Sequence, residues 1–410
     1  MLKIAKTVLL VNVLCPAILV AQRPDRLEPK AGLVRLIDGN LRQAVNQYKI
    51  LMGRVPSDRM PRSYTAANAT LITSDADWWT SGFYPATLFY LYEDSHDTAM
   101  LNEGERRLKL LEKEQYNRGT HDLGFMVYCP FGNFLRLIRY SHVRQPEAPV
   151  DSVLMNAARS LSTRFNPRIG CIRSWDSKPW NYPVIIDNMM NLELLFWATR
   201  ESGDSSFYRI AVTHATTTMR NHIRPDYSSF HVVDYDTATG RVLSRKTAQG
   251  YTDSSSWARG QSWGLYGYTM VYRYTHDPAY LDLAAHIADY ILAHLPADKI
   301  PYWDYNAPGG QRVLRDASAA CILASALIEL SRDVPAAKGR GYLDVAEQII
   351  VTLSSGTYHA VVGANGGFLL MHSVGNLPGR SEVDVPLTYA DYYFVEAMLR
   401  YKNLDHSDRW

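Results

Sequence analysis

The sequence predicts an all-α fold, an (α/α)6 barrel of six helical hairpins in which inner and outer helices alternate. Three observations carry that prediction. One helix-pair pattern recurs: an aromatic-rich apolar helix ends in a short polar turn containing Asp, and a more amphipathic helix follows. Apolar and amphipathic segments alternate, six of each, and helices apolar all round belong inside while amphipathic ones belong outside. Strand signals are few, with "SFHVVDY" and "GRVLSRK" reading as a small hairpin on a loop. An open superhelix of helix pairs is the alternative that the pattern permits.

Taken in order, the chain opens with "MLKIAKTVLLVNVLCPAILVAQ". Two lysines, a short apolar run and the small Ala21 predict a signal peptide over residues 1–21, followed by a single barrel domain over 22–410. The run is too short for a membrane span, so no stable membrane insertion is expected. Val13 and Leu14 before Cys15 fit a lipid-attachment site poorly, and the expected location is secretion across the inner membrane into the periplasm. The first helix is amphipathic, "GLVRLIDGNLRQAVNQYKIL". Three clear inner–outer pairs follow, "PATLFYLYEDSHDTAMLNEGERRLKLL", "NLELLFWATRESGDSSFYRIAVTHA" and "SWGLYGYTMVYRYTHDPAYLDLAAHIADYIL". Asp97, Asp204 and Asp277 are their expected outer-helix N-caps, and Pro278 at a first helical position strengthens the last. Weaker pairs are "FGNFLRLIRYSHV" with "VDSVLMNAARSLSTRF", and "ASAACILASALIELSRDV" with "GYLDVAEQIIVTL"; "YADYYFVEAMLRY" closes the count. The copies lie about 50 to 75 residues apart, longer than typical solenoid units.

Composition excludes several function classes. Removing residues 1–21 takes away Lys3 and Lys6 and leaves 41 basic side chains against 41 acidic ones. No global field steers a polyanion, so nucleic acid is not an expected partner and any anion recognition is local. Cys129, Cys171 and Cys321 are an odd set without metal-ligand spacing. There is no HExxH and no Gly-rich phosphate loop, and neither a metal nor a nucleotide cofactor is expected.

The unusual residues concentrate in the connections from outer to inner helix: "DADWWTSGFYP", "YNRGTHDLGFMVY", "CIRSWDSKPWNYPVIID", "HVVDYDTATGRVLSRKTAQGYTDSSSWARGQSW" and "IPYWDYNAPGGQRVLRDAS". In an α/α barrel these open at one end, where the inner-helix N-termini also point. Aromatic platforms, carboxylates and Arg on one rim describe a site for an anionic sugar. Asp187 enters an apolar helical stretch and reads either as an N-cap or as a site carboxylate. Asp122 in "THDLGF" reads as a turn residue or as its partner, and two converging carboxylates push their pKa values apart. His121 reads as a supporting hydrogen-bonder. Trp79, Trp175, Trp257 and Trp263 read as core or as sugar platforms. Arg259, between two tryptophans at a helix entry, calls for an anionic partner.

Four stretches, "DWWTSGFYP", "HDLGF", "IDNMMNLELLFWA" and "QGYTDSSSWARGQSWGLYG", resemble the motifs of the unsaturated glucuronyl hydrolases, glycoside hydrolase family 88. The resemblance runs from about residue 77 to 401, while the C-terminal "GNLPGRSEVDVPLTYADYYF" follows the family only loosely. It implies a six-hairpin α/α barrel, and substrates made by polysaccharide lyases with a 4,5-unsaturated uronic acid at the non-reducing end. By resemblance Asp187 is the general acid/base and Asp122 the second essential carboxylate. His231, Gln249 and Arg259 match substrate-contacting positions, and Trp79, Phe83, Trp175, Trp257 and Trp263 match the aromatic cleft. The implied chemistry is hydration of the C4=C5 vinyl ether of glycosaminoglycan oligosaccharides. The alternatives are the sister hydrolases of unsaturated rhamnogalacturonyl sugars from pectin, and a carbohydrate-binding barrel without catalysis.

Overall fold

A computed structural model describes residues 27–141, 143–146 and 149–404. The segment read as a signal peptide lies outside the described residues. Twelve α-helices alternate outer and inner: α1 (Ala31–Met52), α2 (Phe83–Ser95), α3 (Thr98–Leu111), α4 (Asn133–Tyr140), α5 (Val150–Ser162), α6 (Leu192–Ser202), α7 (Ser205–His222), α8 (Ala258–Thr275), α9 (Pro278–His294), α10 (Ala317–Leu330), α11 (Ala336–Leu353) and α12 (Thr388–Lys402). The even-numbered helices form the inner ring. α2 packs on α4, the segment Gly124–Gly132 that leads into α4 packs on α6, α6 on α8, α8 on α10 and α10 on α12, and α12 returns to pack on α2, so the ring closes and the open superhelix is excluded. The sequence pattern explains the layering. All of α10 but Glu329 is buried, whereas α3 buries one face with Met100, Gly104, Leu108 and Leu111.

Three inner-to-outer turns share one construction. The inner helix ends in a left-handed residue, His96, Gly203 or His276. The next residue, Asp97, Asp204 or Asp277, accepts the N–H two residues on, at 2.8–2.9 Å. Each Asp N–H in turn donates to Ser95, Ser202 or Thr275 at 3.1–3.2 Å. The expected caps are therefore present, and a hydroxyl two residues before each completes the turn.

The connections at the other end are longer and carry all nine described strands: β1 (Met60–Thr65), β2 (Thr70–Ser74), β3 (Phe165–Asn166), β4 (Cys171–Ile172), β5 (Pro183–Ile185), β6 (Val232–Tyr235), β7 (Val242–Lys246), β8 (Ser373–Asn376) and β9 (Ser381–Val385). The expected β6–β7 hairpin forms, and β5 extends it to three strands. One expectation fails. The segment after Asp122, read as a rim loop, is wound as a π-helix over Gly124–Gly132 that runs straight into α4. Pro130 inside it has no N–H to give to a regular α-helical ladder, and the wider winding accommodates that loss.

At the C-terminal ends of the inner helices an ion-pair network surrounds a lumen cavity of about 180 Å³. Arg273 reaches Glu193 and Glu329 at 2.6 and 2.7 Å, and Arg400 reaches Glu329 at 2.6 Å. Burial pushes Glu329 up, but the two arginines outweigh it and hold the carboxyl at about 2. Charge there is compensated within the protein. No helix among the described residues is long and apolar enough to cross a membrane.

Glycines set one close approach that places the other rim. A Cβ on Gly267 of α8 meets Met189 Cβ at 2.4 Å, whereas one on Gly264 stays 3.4 Å from Ile186. We expect Gly267→Ala to destabilise the fold by about 1–3 kcal/mol through overpacking. Gly264→Ala, with room for its methyl, is expected to be neutral or to stabilise by up to about 1 kcal/mol. Urea unfolding of the two variants checks the pair, and equal effects would refute the close approach.

Candidate active site

Asp187 lies in a six-residue 3₁₀ segment, Ile186–Asn191, between β5 and α6. Neighbouring side chains lock the segment. Asn188 Nδ2 donates to Ile172 O at 2.8 Å, and Asn191 Oδ1 accepts from Phe125 N at 3.1 Å. Gly124 lets the π-helix approach Asn191, since a Cβ there would stand 2.6 Å from it. These contacts fix the Asp187 segment against the one that begins at Asp122. The N-cap reading of Asp187 fails on geometry. Ile185 occupies the cap position and no side chain caps the turn. Asp187 is only 8% exposed, and its Oδ2 has no hydrogen-bond partner among the described residues.

Sheet register brings His231 to this carboxyl. β5 pairs with β6 so that Ile185 opposes Val232, and Ile186 N donates to His231 O at 3.1 Å. His231 Nε2 then stands 3.8 Å from Asp187 Oδ2. The backbone N–H groups of Ala248 and Gln249 both point at His231 Nδ1, at 3.1 and 3.3 Å. Nδ1 is therefore the acceptor, and the neutral ring carries its proton on Nε2, toward Asp187. Burial, then the Arg259 charge and His222, push His231 down to about 3, so the ring is neutral at ordinary pH.

Burial also dominates Asp187 and pushes its carboxyl up to about 7. Arg259 and the residue's own backbone N–H oppose this, and Asp122 adds to it. Asp122 is partly buried, with Thr120 Oγ1 donating to its Oδ2 at 3.2 Å and His121 Nε2 at 3.4 Å from its Oδ1. Burial lowers the pKa of His121. The pair thus consists of one carboxyl able to hold a proton near neutrality and a second one more open to solvent.

Three of the residues matched by resemblance are buried. Phe83 and Trp263 have no exposed surface and pack with Phe125, Tyr392 and Tyr393 beneath the rim. They are barrel core, because a helix facing the lumen buries its aromatics against the ring's other helices. Arg259 is 1% exposed, and both its Nη groups are engaged by protein while Nε has no hydrogen-bond partner among the described residues. Nη1 donates to Asp316 Oδ2 at 3.2 Å and to Val374 O, and Nη2 to Gln249 Oε1 at 3.0 Å and Gly375 O at 2.6 Å. It also lies over Trp257 at 4.5 Å and Tyr389 at 5.4 Å. Its anionic partner is Asp316.

The other expected residues gather at the rim. Gln249 is half-buried and joins His231, through its N–H, to Arg259, through its side chain. Trp257 stacks on His231 with centroids 4.4 Å apart. Trp79 is half-buried on Tyr389 at 5.0 Å. Trp175 is half-buried against Trp180, and its neighbour Ser174 is stitched to β5 through Pro183 O and Ile185 N. Residues that sequence reading did not single out are Asp316, Asn188, Asn191 and Tyr389. Only Asp316 had a readable signal, an Asp at the entry of an apolar helix; the asparagines face partners distant in sequence.

No family profile matches the chain. The unsaturated glucuronyl hydrolase of Formosa agariphila is 44% identical over 361 residues, 87% of this chain and 88% of that protein. The unsaturated chondroitin disaccharide hydrolase of Streptococcus pneumoniae is 33% identical over 79% of this chain and 81% of its own. The crystal structure of an unsaturated glucuronyl hydrolase specific for heparin superposes with a TM-score of 0.86 at 45% identity, covering 91% of this chain and 99% of the other. A mutant of the Streptococcus agalactiae enzyme complexed with dGlcA-GalNAc6S gives 0.77 at 26% identity, over 95% and 99%. The closed ring of hairpins, the buried carboxyl at its rim and likeness along most of the sequence agree: the chain belongs to the unsaturated glucuronyl hydrolase family of glycoside hydrolases.

Proposed function

We propose that the enzyme removes the 4,5-unsaturated uronic acid from the non-reducing end of lyase-generated glycosaminoglycan oligosaccharides, with Asp187 as acid and base. The observation that carries the residue assignment is a buried carboxyl held near 7, with one oxygen unpartnered and facing a neutral His231. The substrate's C4=C5 bond, with the ring oxygen on C5, is a vinyl ether. Protonated Asp187 donates to C4, and the cation at C5 is stabilised by that oxygen. Water adds to C5 while the Asp187 carboxylate takes its proton, which regenerates the acid. The hemiketal opens between C5 and the ring oxygen, leaving C1 as a hemiacetal that releases the next sugar as an alcohol. Carboxylate separation, which predicts stereochemistry in glycosidases that attack the anomeric carbon, does not apply to this route. His231 donates from Nε2, Gln249 holds its tautomer, and Trp79, Trp175 and Trp257 supply sugar-facing or ring-supporting surface.

A panel of lyase-digested chondroitin, hyaluronan, heparin and rhamnogalacturonan tests the substrate class through loss of the double bond's ultraviolet absorbance. Turnover of the glycosaminoglycan products is expected. Turnover of the pectin product alone would move the enzyme to the sister activity, and binding without loss of absorbance would remove catalysis.

Asp187→Asn is expected to lower turnover by a factor of ~10² to 10⁴, because the amide cannot deliver a proton to C4. The same variant separates chemistry from folding. The carboxyl sits near 7 in the fold against 3.8 for an ordinary aspartate, so the stability it contributes at low pH is lost as pH rises from about 4 through about 7. Relative to wild type, the Asn variant should therefore gain on the order of 2–4 kcal/mol of unfolding free energy between pH 4 and pH 8. Near wild-type turnover in this variant would sink the assignment.

The N-terminal segment supports export. The expected product in the periplasm lacks residues 1–21, and an intact full-length chain found in the cytoplasm would refute this.

A further inference from the structure

We propose that Asp316 is a positioning residue for the acid step: it holds Arg259 in a closed ion pair behind the site, so that Asp187 keeps the proton it must deliver. The inference rests on Asp187 being the acid. An arginine one layer from a general acid works against it, because positive charge favours the carboxylate. Arg259 is such a residue. It sits in the first turn of α8, whose Gly260 approaches Ile186 so closely that a Cβ would lie 3.2 Å from that side chain. Its charge is the largest influence opposing Asp187's elevation by burial.

The fold places the compensating charge on the far side. Asp316 is fully buried at the N-terminus of α10. Its Oδ1 accepts from Ser318 N at 3.0 Å, Ser318 Oγ at 2.6 Å and Val374 N at 3.3 Å, which leaves Oδ2 for Arg259. The charged and titratable groups around this unit are few. Tyr389 of α12 lies under the guanidinium, Glu382 of β9 adds a carboxylate that is itself paired with Arg62 at 2.9 Å, and Tyr305 and Cys321 also feel Asp316. Asp187 itself faces Arg259, Asp122 and His231. Asp316 is the only carboxylate among the described residues that is ion-paired to Arg259. A bare cap on α10 would require only the Ser318 contacts; the second oxygen on a buried arginine is what a cap alone does not explain.

The test is the pH dependence of kcat/KM for wild type, Asp316→Asn and Arg259→Gln on an unsaturated disaccharide that the wild type turns over. Wild type should lose activity on a basic limb near neutrality. Asp316→Asn can still cap α10 but leaves Arg259 uncompensated, and its limb should move toward acid by about one pH unit. Arg259→Gln removes the positive charge, and its limb should move the other way. Activity lowered at every pH in Asp316→Asn with the limb in place would reduce Asp316 to a helix cap and overturn the inference. If that variant does not fold, an Arg259→Gln limb at the wild-type position overturns it equally. A wild-type profile without a basic limb would overturn the acid role of Asp187 and this inference together.

Discussion

The rim is hung on one contact, the close packing of the first turns of α8 against Ile186–Asn191. A Cβ on Gly267 would meet Met189 Cβ at 2.4 Å and one on Gly260 would stand 3.2 Å from the Ile186 side chain, so glycine sets how closely the two segments meet. Asp187 is buried beside that approach, and Arg259 in the first turn of α8 lies over the buried Trp257. The β5–β6 ladder is anchored to the same segment, so His231 is aligned by the same contact. Asn191 then ties it to the π-helix that starts beyond Asp122.

The two ends of the barrel treat charge in opposite ways. At the far end Arg273 and Arg400 are matched by Glu193 and Glu329, and the carboxylates stay ionised although buried. At the rim Asp187 is buried without a direct cationic partner. Its nearest arginine is turned toward Asp316, and desolvation prevails. The difference is geometric rather than compositional: both ends hold Arg and carboxylates, but at the rim Arg259 pairs with Asp316 and Asp187 has no direct arginine partner. A buried carboxyl in that state destabilises the folded chain at neutral pH, as expected of a group arranged for proton transfer.

His231 shows how backbone geometry completes the site. Two N–H groups of the 247–250 turn occupy Nδ1 and thereby assign the Nε2 proton to the side facing Asp187. Gln249 belongs to that turn and also accepts from Arg259, so tautomer and charge are set by one short segment. The aromatic chain of half-buried Trp79 and buried Tyr389 and Trp257 continues past Arg259 to His231 and packs beneath the rim's polar groups.

The architecture was legible from the chain because helix periodicity and caps are local properties. Asp97, Asp204 and Asp277 cap where spacing placed them, and the alternation of apolar and amphipathic segments gave six of each. The convergence of Trp-, Asp- and Arg-rich connections on one rim followed from that alternation. Local sequence also showed that Asp187 and Arg259 were unusual. It did not show that Asp187 is no cap, that Phe83 and Trp263 lie beneath the rim, or that Arg259 answers to Asp316. Nor did it show the π-helical winding after Asp122. Those outcomes depend on which groups are desolvated together, and they involve partners 57 residues apart for Arg259 and Asp316 and 66 for Phe125 and Asn191. Periodicity determined which helices exist and which face inward; closure of the ring decided which carboxyl is pushed up toward neutrality, because burial and charge pairing arise only once distant segments share one low-dielectric space.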